Sequence, residues 1–190
     1  MFAWPVASVV SHFGRMASRS VSSFFGVRQD PMGSGEAKAH GAIDIPVDVG
    51  TPVMSIGNGV VDAVVPNNAT AGTYVQINHE NGYYSRYLHL SDVSVSPGQR
   101  VRMGQRIGLS GGEPGAYGSG RSTGPHVHLD VWWGKPFAGG YAVDPLPLLT
   151  REAVKKVAPW VGILAAAMLS VGLVWRFREP LQKRITEITR

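Results

Sequence analysis

Between residues 40 and 150 no stretch keeps a helical period, and glycine, proline or asparagine interrupts the chain every few residues. A helix announces itself by an amphipathic run of about 10–12 residues or more, and the uninterrupted runs here are shorter. What they contain instead is β-branched and aromatic residues. "PVMSI" (52–56), "GVVDAVV" (59–65), "TYVQINH" (73–79), "YYSRYLHL" (83–90), "VRMGQRIGLS" (101–110) and "HVHLDVWW" (126–133) each read as a strand bounded by turn residues. "ENGY" (80–83) reads as a hairpin, with Asn81-Gly82 favouring a type I′ turn. The expectation is a mainly β fold, a small antiparallel β-sheet domain.

The chain is large enough to fold in this way. Of its 190 residues 44% are hydrophobic, which supports a real core. The 24 glycines and 13 prolines suit many short turns. No cysteine is present, so disulfides and thiolate metal sites are excluded, and any metal must sit on His, Asp or Glu. The net charge of +5 is unevenly placed. Residues 1–150 hold ten Lys/Arg against ten Asp/Glu, whereas residues 151–190 hold eight against three. The globular part therefore has no basic excess with which to bind phosphates, and no nucleic-acid partner is expected.

A second kind of segment follows. "VAPWVGILAAAMLSVGLVW" (157–175) carries no charge over 19 residues. As a helix it would be about 28 Å long, close to a hydrocarbon core of roughly 30 Å. Trp160 and Trp175 stand near its ends, and Lys155, Lys156, Arg176 and Arg178 flank it. This predicts a single transmembrane α-helix, and the lipid membrane as a partner. Three basic residues before the span and five after it place the C-terminus inside and the N-terminal domain outward. The expected organisation is an N-terminal segment (1–19), a β domain (20–150), a linker (151–156), the membrane helix (157–175) and a basic tail (176–190). "MFAWPVASVVSHFGR" lacks the basic start of a secretory signal. A tail-anchored chain without one suits a virion membrane, with the bacterial inner membrane and periplasm as the alternative.

Six histidines lie along the chain, and their company matters more than their number. In "HGAID", a spacing of four puts His40 and Asp44 on one face of a strand. In "PHVHLD", His126 and His128 point one way while Val127 and Leu129 point the other. In "SRYLHLSDV", Tyr87 and His89 share a face opposite Leu88 and Leu90. A catalytic zinc needs three protein ligands and an open position, with a base and an oxyanion stabiliser beside it. His40, Asp44, His89, His126 and His128 make five. Spacing alone leaves open which histidine does which job.

These segments, taken in order, resemble the lysostaphin-type (LytM-like) zinc metallopeptidases of peptidoglycan over roughly residues 20–150. "SSFFGVRQDP" is similar to S-x-F-G-x-R-x-x-P, "HGAIDI" to H-x-G/A-x-D-I, and "GTPVMSIGNGVV" to G-T-P-V-x-A-x-x-x-G-x-V. "YVQINHENGYYSRYLHLS" resembles a strand pair ending Y-x-H-L-S, and "VSPGQRVRMGQRIGLSG" resembles x-x-G-Q-x-V-x-x-G-Q-x-I-G. "STGPHVHLDV" is similar to S-T-G-P-H-x-H-F/L-E/D, and "VDPLPLL" closes the domain. The resemblance implies one zinc ion per chain, bound by His40, Asp44 and His128. It implies that His89 and His126 are the catalytic pair, activating water and stabilising the oxyanion. It implies a peptidoglycan endopeptidase acting on peptide stems or cross-bridges, with the site in a groove between loops.

Three features depart from that pattern. "GGEPGAYGSGRSTGP" (111–125) is longer than the family's usual link, so a glycine-rich loop is expected to reshape one groove wall. "GSGEAKA" (33–39) offers no tyrosine near the oxyanion. A C-terminal span is unusual, since many relatives are secreted or anchored at the N-terminus. His79 is expected to be structural, His12 has no partner in sequence, and Arg121 and Ser122 belong to a solvated loop. The function that follows is a membrane-anchored zinc endopeptidase of the cell wall, suited to a virion enzyme that opens the host wall during genome delivery and that meets virion or envelope proteins. The alternatives are a bacterial wall-remodelling hydrolase and a non-catalytic peptidoglycan-binding module.

Overall fold

The computed structural model describes residues 2–6 and 21–149. Twelve strands account for most of the order: β1 (Gly26–Gln29), β2 (Ala37–His40), β3 (Ile43–Pro46), β4 (Pro52–Met54), β5 (Gly59–Asn68), β6 (Gly72–Asn78), β7 (Tyr83–Leu88), β8 (Leu90–Val93), β9 (Arg100–Val101), β10 (Arg106–Ser110), β11 (His126–Trp133) and β12 (Tyr141–Val143). A 3-10 turn at Leu146–Leu148 follows, and the described residues contain no α-helix. The mainly β expectation holds, and every strand pairing is antiparallel.

The main sheet runs in the order β12-β11-β7-β6-β5-β9. Strand β3 shares an edge of β11 with β12: it pairs residues 126–129, and β12 pairs residues 131–133. A second sheet, β4-β10-β8, covers the core, and β1-β2 form a separate ribbon. The core is filled by alternate residues of the main sheet, among them Val75, Ile77, Tyr87, Val127, Leu129 and Val131, all fully buried. Val53, Ile107 and Leu90 meet them from the second sheet. Phe2 and Val6 lie in the same core, although the reading above set residues 1–19 apart.

This alternation fixes where the histidines point. Burying each aliphatic side chain of β11 stabilises the fold by about 1.5–3 kcal/mol. A slip of one residue would turn that whole set to the outside and bring His126 and His128 into the core. The hydrophobic face of β11 thereby holds both imidazoles on the opposite face.

Some local expectations give way. The hairpin at 80–83 forms, but the positive φ values fall on Glu80 (59°) and Gly82 (91°) rather than on Asn81 and Gly82, so the turn is not type I′. The run 101–110 divides into β9 and β10, because Met103 and Gly104 turn between them, with Gly104 at φ 79°. No described helix is long and apolar enough to cross a membrane. The expected span 157–175, its flanking linker and basic tail, and His12 lie outside the described residues.

Candidate active site

His40 and Asp44 do not share one strand as their spacing suggested. His40 ends β2 and Asp44 lies in β3, with Gly41 and Ala42 passing the chain from the ribbon to the main sheet. The two still converge, because β3 pairs with β11 in a register that sets Asp44 opposite His128. Asp44 Oδ1 is 2.9 Å from His128 Nδ1 and 3.4 Å from His40 Nε2. His40 Nε2 and His128 Nδ1 are 3.4 Å apart.

The tautomer of His40 decides what these distances mean. Its Nδ1 lies 2.9 Å from the carbonyl oxygen of Phe24, which can only accept, so the ring donates from Nδ1. Nε2 then presents a lone pair to Asp44 Oδ1, acceptor facing acceptor. A proton or a cation between them removes that repulsion. A tetrahedral metal with bonds of about 2.0–2.1 Å has ligand–ligand edges of about 3.3 Å, close to the spacings here. Two imidazole nitrogens and one carboxylate oxygen fit zinc, and the Phe24 carbonyl orients the His40 ring as metal-bound histidines require.

Arg28 holds the other carboxylate oxygen, with Nη1 3.3 Å from Asp44 Oδ2. Burial acts against the charge on Asp44. The neighbouring imidazoles of His128 and His40 outweigh it and hold the carboxyl well below its usual range.

His89 arrives by a different route from the one its spacing implied. At φ 62° it takes the left-handed conformation, which ends β7 and separates it from β8. Alternation therefore fails at this residue. Tyr87 turns into the core, where its hydroxyl accepts from Ile56 N–H and burial raises its pKa to about 12. His89 instead stays with Leu88 on the cleft side, and Leu88 pairs with His128. Its Nδ1 donates to the Ser119 carbonyl at 2.7 Å.

His126 repeats this arrangement: its Nδ1 donates to the Gly124 carbonyl at 2.7 Å. The rings of His89 and His126 are 4.8 Å apart, centroid to centroid. Both rings carry their proton on Nδ1, which leaves lone pairs at Nε2. His126 Nε2 lies 3.6 Å from Asp44 Oδ1. Burial, then the neighbouring His126 and His128, push the pKa of His89 down to about 4, so it is neutral at physiological pH. All five expected residues thus meet in one place. His128 belongs to two groups able to hold a metal, His40–Asp44–His128 and His89–His126–His128. Only the first brings an anionic ligand.

The sequence signature of Peptidase family M23 matches residues 38–145. The chain belongs to peptidase family M23.

Its M23 domain is 48% identical over 92 residues to the peptidoglycan DD-endopeptidase ShyA of Vibrio cholerae, covering 48% of this chain and 20% of ShyA. It is 32% identical over 118 residues to lysostaphin of Staphylococcus staphylolyticus, covering 62% and 23% respectively. The chain thus spans about a fifth to a quarter of these relatives. Among solved structures, a zinc-containing peptidase from Vibrio cholerae matches with a TM-score of 0.58 and 34% identity, over 75% of this chain and 38% of that one.

Other parts of the M23 domain were less visible in sequence. The long loop 111–125 is tied to the β5–β6 turn. Thr73 N–H donates to the Gly118 carbonyl, Arg121 N–H to the Thr70 carbonyl, and Gly118 N–H to Asn67 Oδ1. It delivers the Ser119 carbonyl to His89 and places Arg121 in the cleft. Ser122 is buried, with Oγ donating to the Gly124 carbonyl beside His126. His79 is structural, as expected. It is buried between the Asn58 carbonyl and Ser85 Oγ, and burial lowers its pKa. The role of Asp130 was available from the strand period, since H-x-H-x-D puts it on the face of both histidines. It carries a bidentate ion pair with Arg86.

Proposed function

We propose that this chain is a zinc-dependent endopeptidase that hydrolyses peptide cross-links of bacterial peptidoglycan. The observation that carries the reading is the convergence of five side chains at one site. His40, Asp44 and His128 offer three donor atoms at metal-ligand spacing, and His89 and His126 offer two oriented imidazole lone pairs beside them. The similarity to peptidoglycan endopeptidases supports the choice of substrate.

His40, Asp44 and His128 would hold the ion. When bound, zinc supplies Lewis-acid polarisation of the scissile carbonyl and a lowered pKa for the attacking water. The protein's own part is positional. The Phe24, Gly124 and Ser119 carbonyls set the tautomers of His40, His126 and His89. Nε2 of His89 and of His126 is each placed to take a proton, and once protonated each donates to a developing oxyanion or to the leaving nitrogen. Two such groups beside one scissile bond let one act as base while the other acts as donor. The ring of Leu88, Thr123 and Pro31 around the cleft gives the peptide an extended surface.

The location we propose is a membrane, reached through residues 157–175, with the catalytic domain outward. The virion is favoured over the bacterial envelope as the setting, and the protein is to be sought in purified particles and in cell envelopes. Turbidity loss and release of soluble peptides from purified sacculi test the activity. Zinc-loaded protein that releases no more than His128→Ala contradicts it.

A further inference from the structure

The cleft holds a buried guanidinium that the proposed chemistry does not use. Arg86 lies on β7 opposite Asp130, two residue pairs along from Leu88 and His128 and on the same face of the sheet. Its side chain is nine-tenths buried, yet it lines the same cleft as His89, His126 and His128. Nε donates to Asp130 Oδ1 at 2.9 Å and to Oδ2 at 3.0 Å, and Nη2 donates to Oδ2 at 2.5 Å. The guanidinium is planar, so an edge formed by Nε and Nη2 leaves Nη1 directed away from Asp130. Among the described residues Nη1 has no hydrogen-bond partner. A buried donor without a partner calls for an explanation.

The surroundings point to a ligand. The Phe137 ring lies over the guanidinium, 4.7 Å from Cζ to centroid, with Trp132 at 5.5 Å and Tyr74 at 5.8 Å. Phe137 is 77% exposed and sits at φ 59°. An exposed phenyl ring on left-handed backbone is unfavourable twice over, and such outliers cluster at ligand sites. Charge supplies the ligand's sign. Three arginines line the cleft, Arg28, Arg86 and Arg121, against one carboxylate, Asp44. Arg28 is engaged by Asp44, while exposed Arg121 has no ion pair among the described residues. Asp130 balances the charge of Arg86 but leaves two N–H groups of Nη1 to give.

We infer that Arg86 Nη1, with Arg121 as a second cation, forms a carboxylate subsite beside the metal centre. Its ligand is a free carboxylate on the residue next to the scissile bond. The chain therefore prefers cross-links made through an acidic diamino acid, such as D-Ala–diaminopimelate, over uncharged glycine bridges. Trp132 donates its indole N–H to Asp130 Oδ1 at 2.8 Å and so fixes the carboxylate that orients the guanidinium. This inference rests on the peptidoglycan-hydrolase reading.

Three synthetic cross-linked peptides test it with the zinc-loaded full chain. One carries the free carboxylate beside the scissile amide, one carries a carboxamide there, and one is a glycine bridge. A charge-assisted hydrogen bond predicts a kcat/KM for the acid about 10- to 100-fold above that of the amide. The difference lies mainly in KM, because the carboxylate is bound alike before and during reaction, and it shrinks with added salt. Arg86→Gln/Asp130→Asn replaces the buried ion pair by a neutral amide pair that still offers Trp132 an acceptor. The acid-to-amide ratio then falls toward one, with zinc content confirming a folded site. Arg121→Gln, an exposed change, lowers the ratio several-fold. Equal rates of wild type on acid and amide overturn the inference and leave the hydrolase reading standing. So does a full preference retained by the double variant, or cleavage of the glycine bridge with the acidic peptide intact. Failure to cut any of the three peptides or sacculi overturns the hydrolase reading and this inference together.

Discussion

At the residue scale the account divides "PHVHLD" between two jobs. Strand alternation puts both imidazoles on one face, and the pairing with β3 gives only His128 a carboxylate directly opposite. His128→Ala is expected to reduce bound zinc to less than about a tenth of an equivalent, since it removes one of the three proposed ligands. His126→Ala is expected to keep zinc near one per chain and to lose about 10²–10⁴-fold in kcat. Metal analysis and turnover, measured on the same preparations, check both. Equal loss of zinc in the two variants would instead favour the His89–His126–His128 group as the metal site. The five candidate residues were legible because their types and spacing are rare in a cysteine-free β domain. Their partners were not, because Phe24, Gly124 and Ser119 act through backbone carbonyls, which residue type does not encode.

The elements show a similar split. Long alternating runs such as β6 and β11 could be read from their apolar period, whereas β1, β2 and β12 are only three or four residues long, too short to display one. The break at His89 escaped for another reason: a left-handed histidine in an apolar run looks like any other strand residue. The loop 111–125 has its own test. A Cβ on Gly120, at φ 57°, would run into the Gly72 and Thr70 backbone that anchors the loop. Gly120→Ala must therefore shift the segment that carries the Ser119 carbonyl. The expected result is a kcat about tenfold lower with zinc retained, because His89 loses the acceptor that sets its tautomer. Unchanged kcat with a folded domain would show that loop and histidine are independent.

For the whole molecule, burial of His79 and His89 in neutral form links stability to pH. Both pKa values are lowered in the fold, so the unfolded chain binds protons first as the pH drops. Stability of the metal-free protein is expected to be full above about pH 6.5, the ordinary histidine value. It is then lost progressively as the pH falls toward about 4. Thermal midpoints between pH 7 and pH 5 check this, and His89→Asn is expected to flatten the slope. The membrane proposal belongs to this scale too. Residues 152–190 fused to a soluble reporter are expected to carry it into the membrane fraction, and a reporter that stays soluble contradicts the anchor. The central claim is cleavage at the His40–Asp44–His128 centre. Its most direct test is chromatography of the peptides released from purified sacculi by zinc-loaded protein and by His128→Ala. The account predicts new amino-terminated stem peptides from the first and none from the second. Protein holding one zinc per chain that releases no such peptides would contradict it.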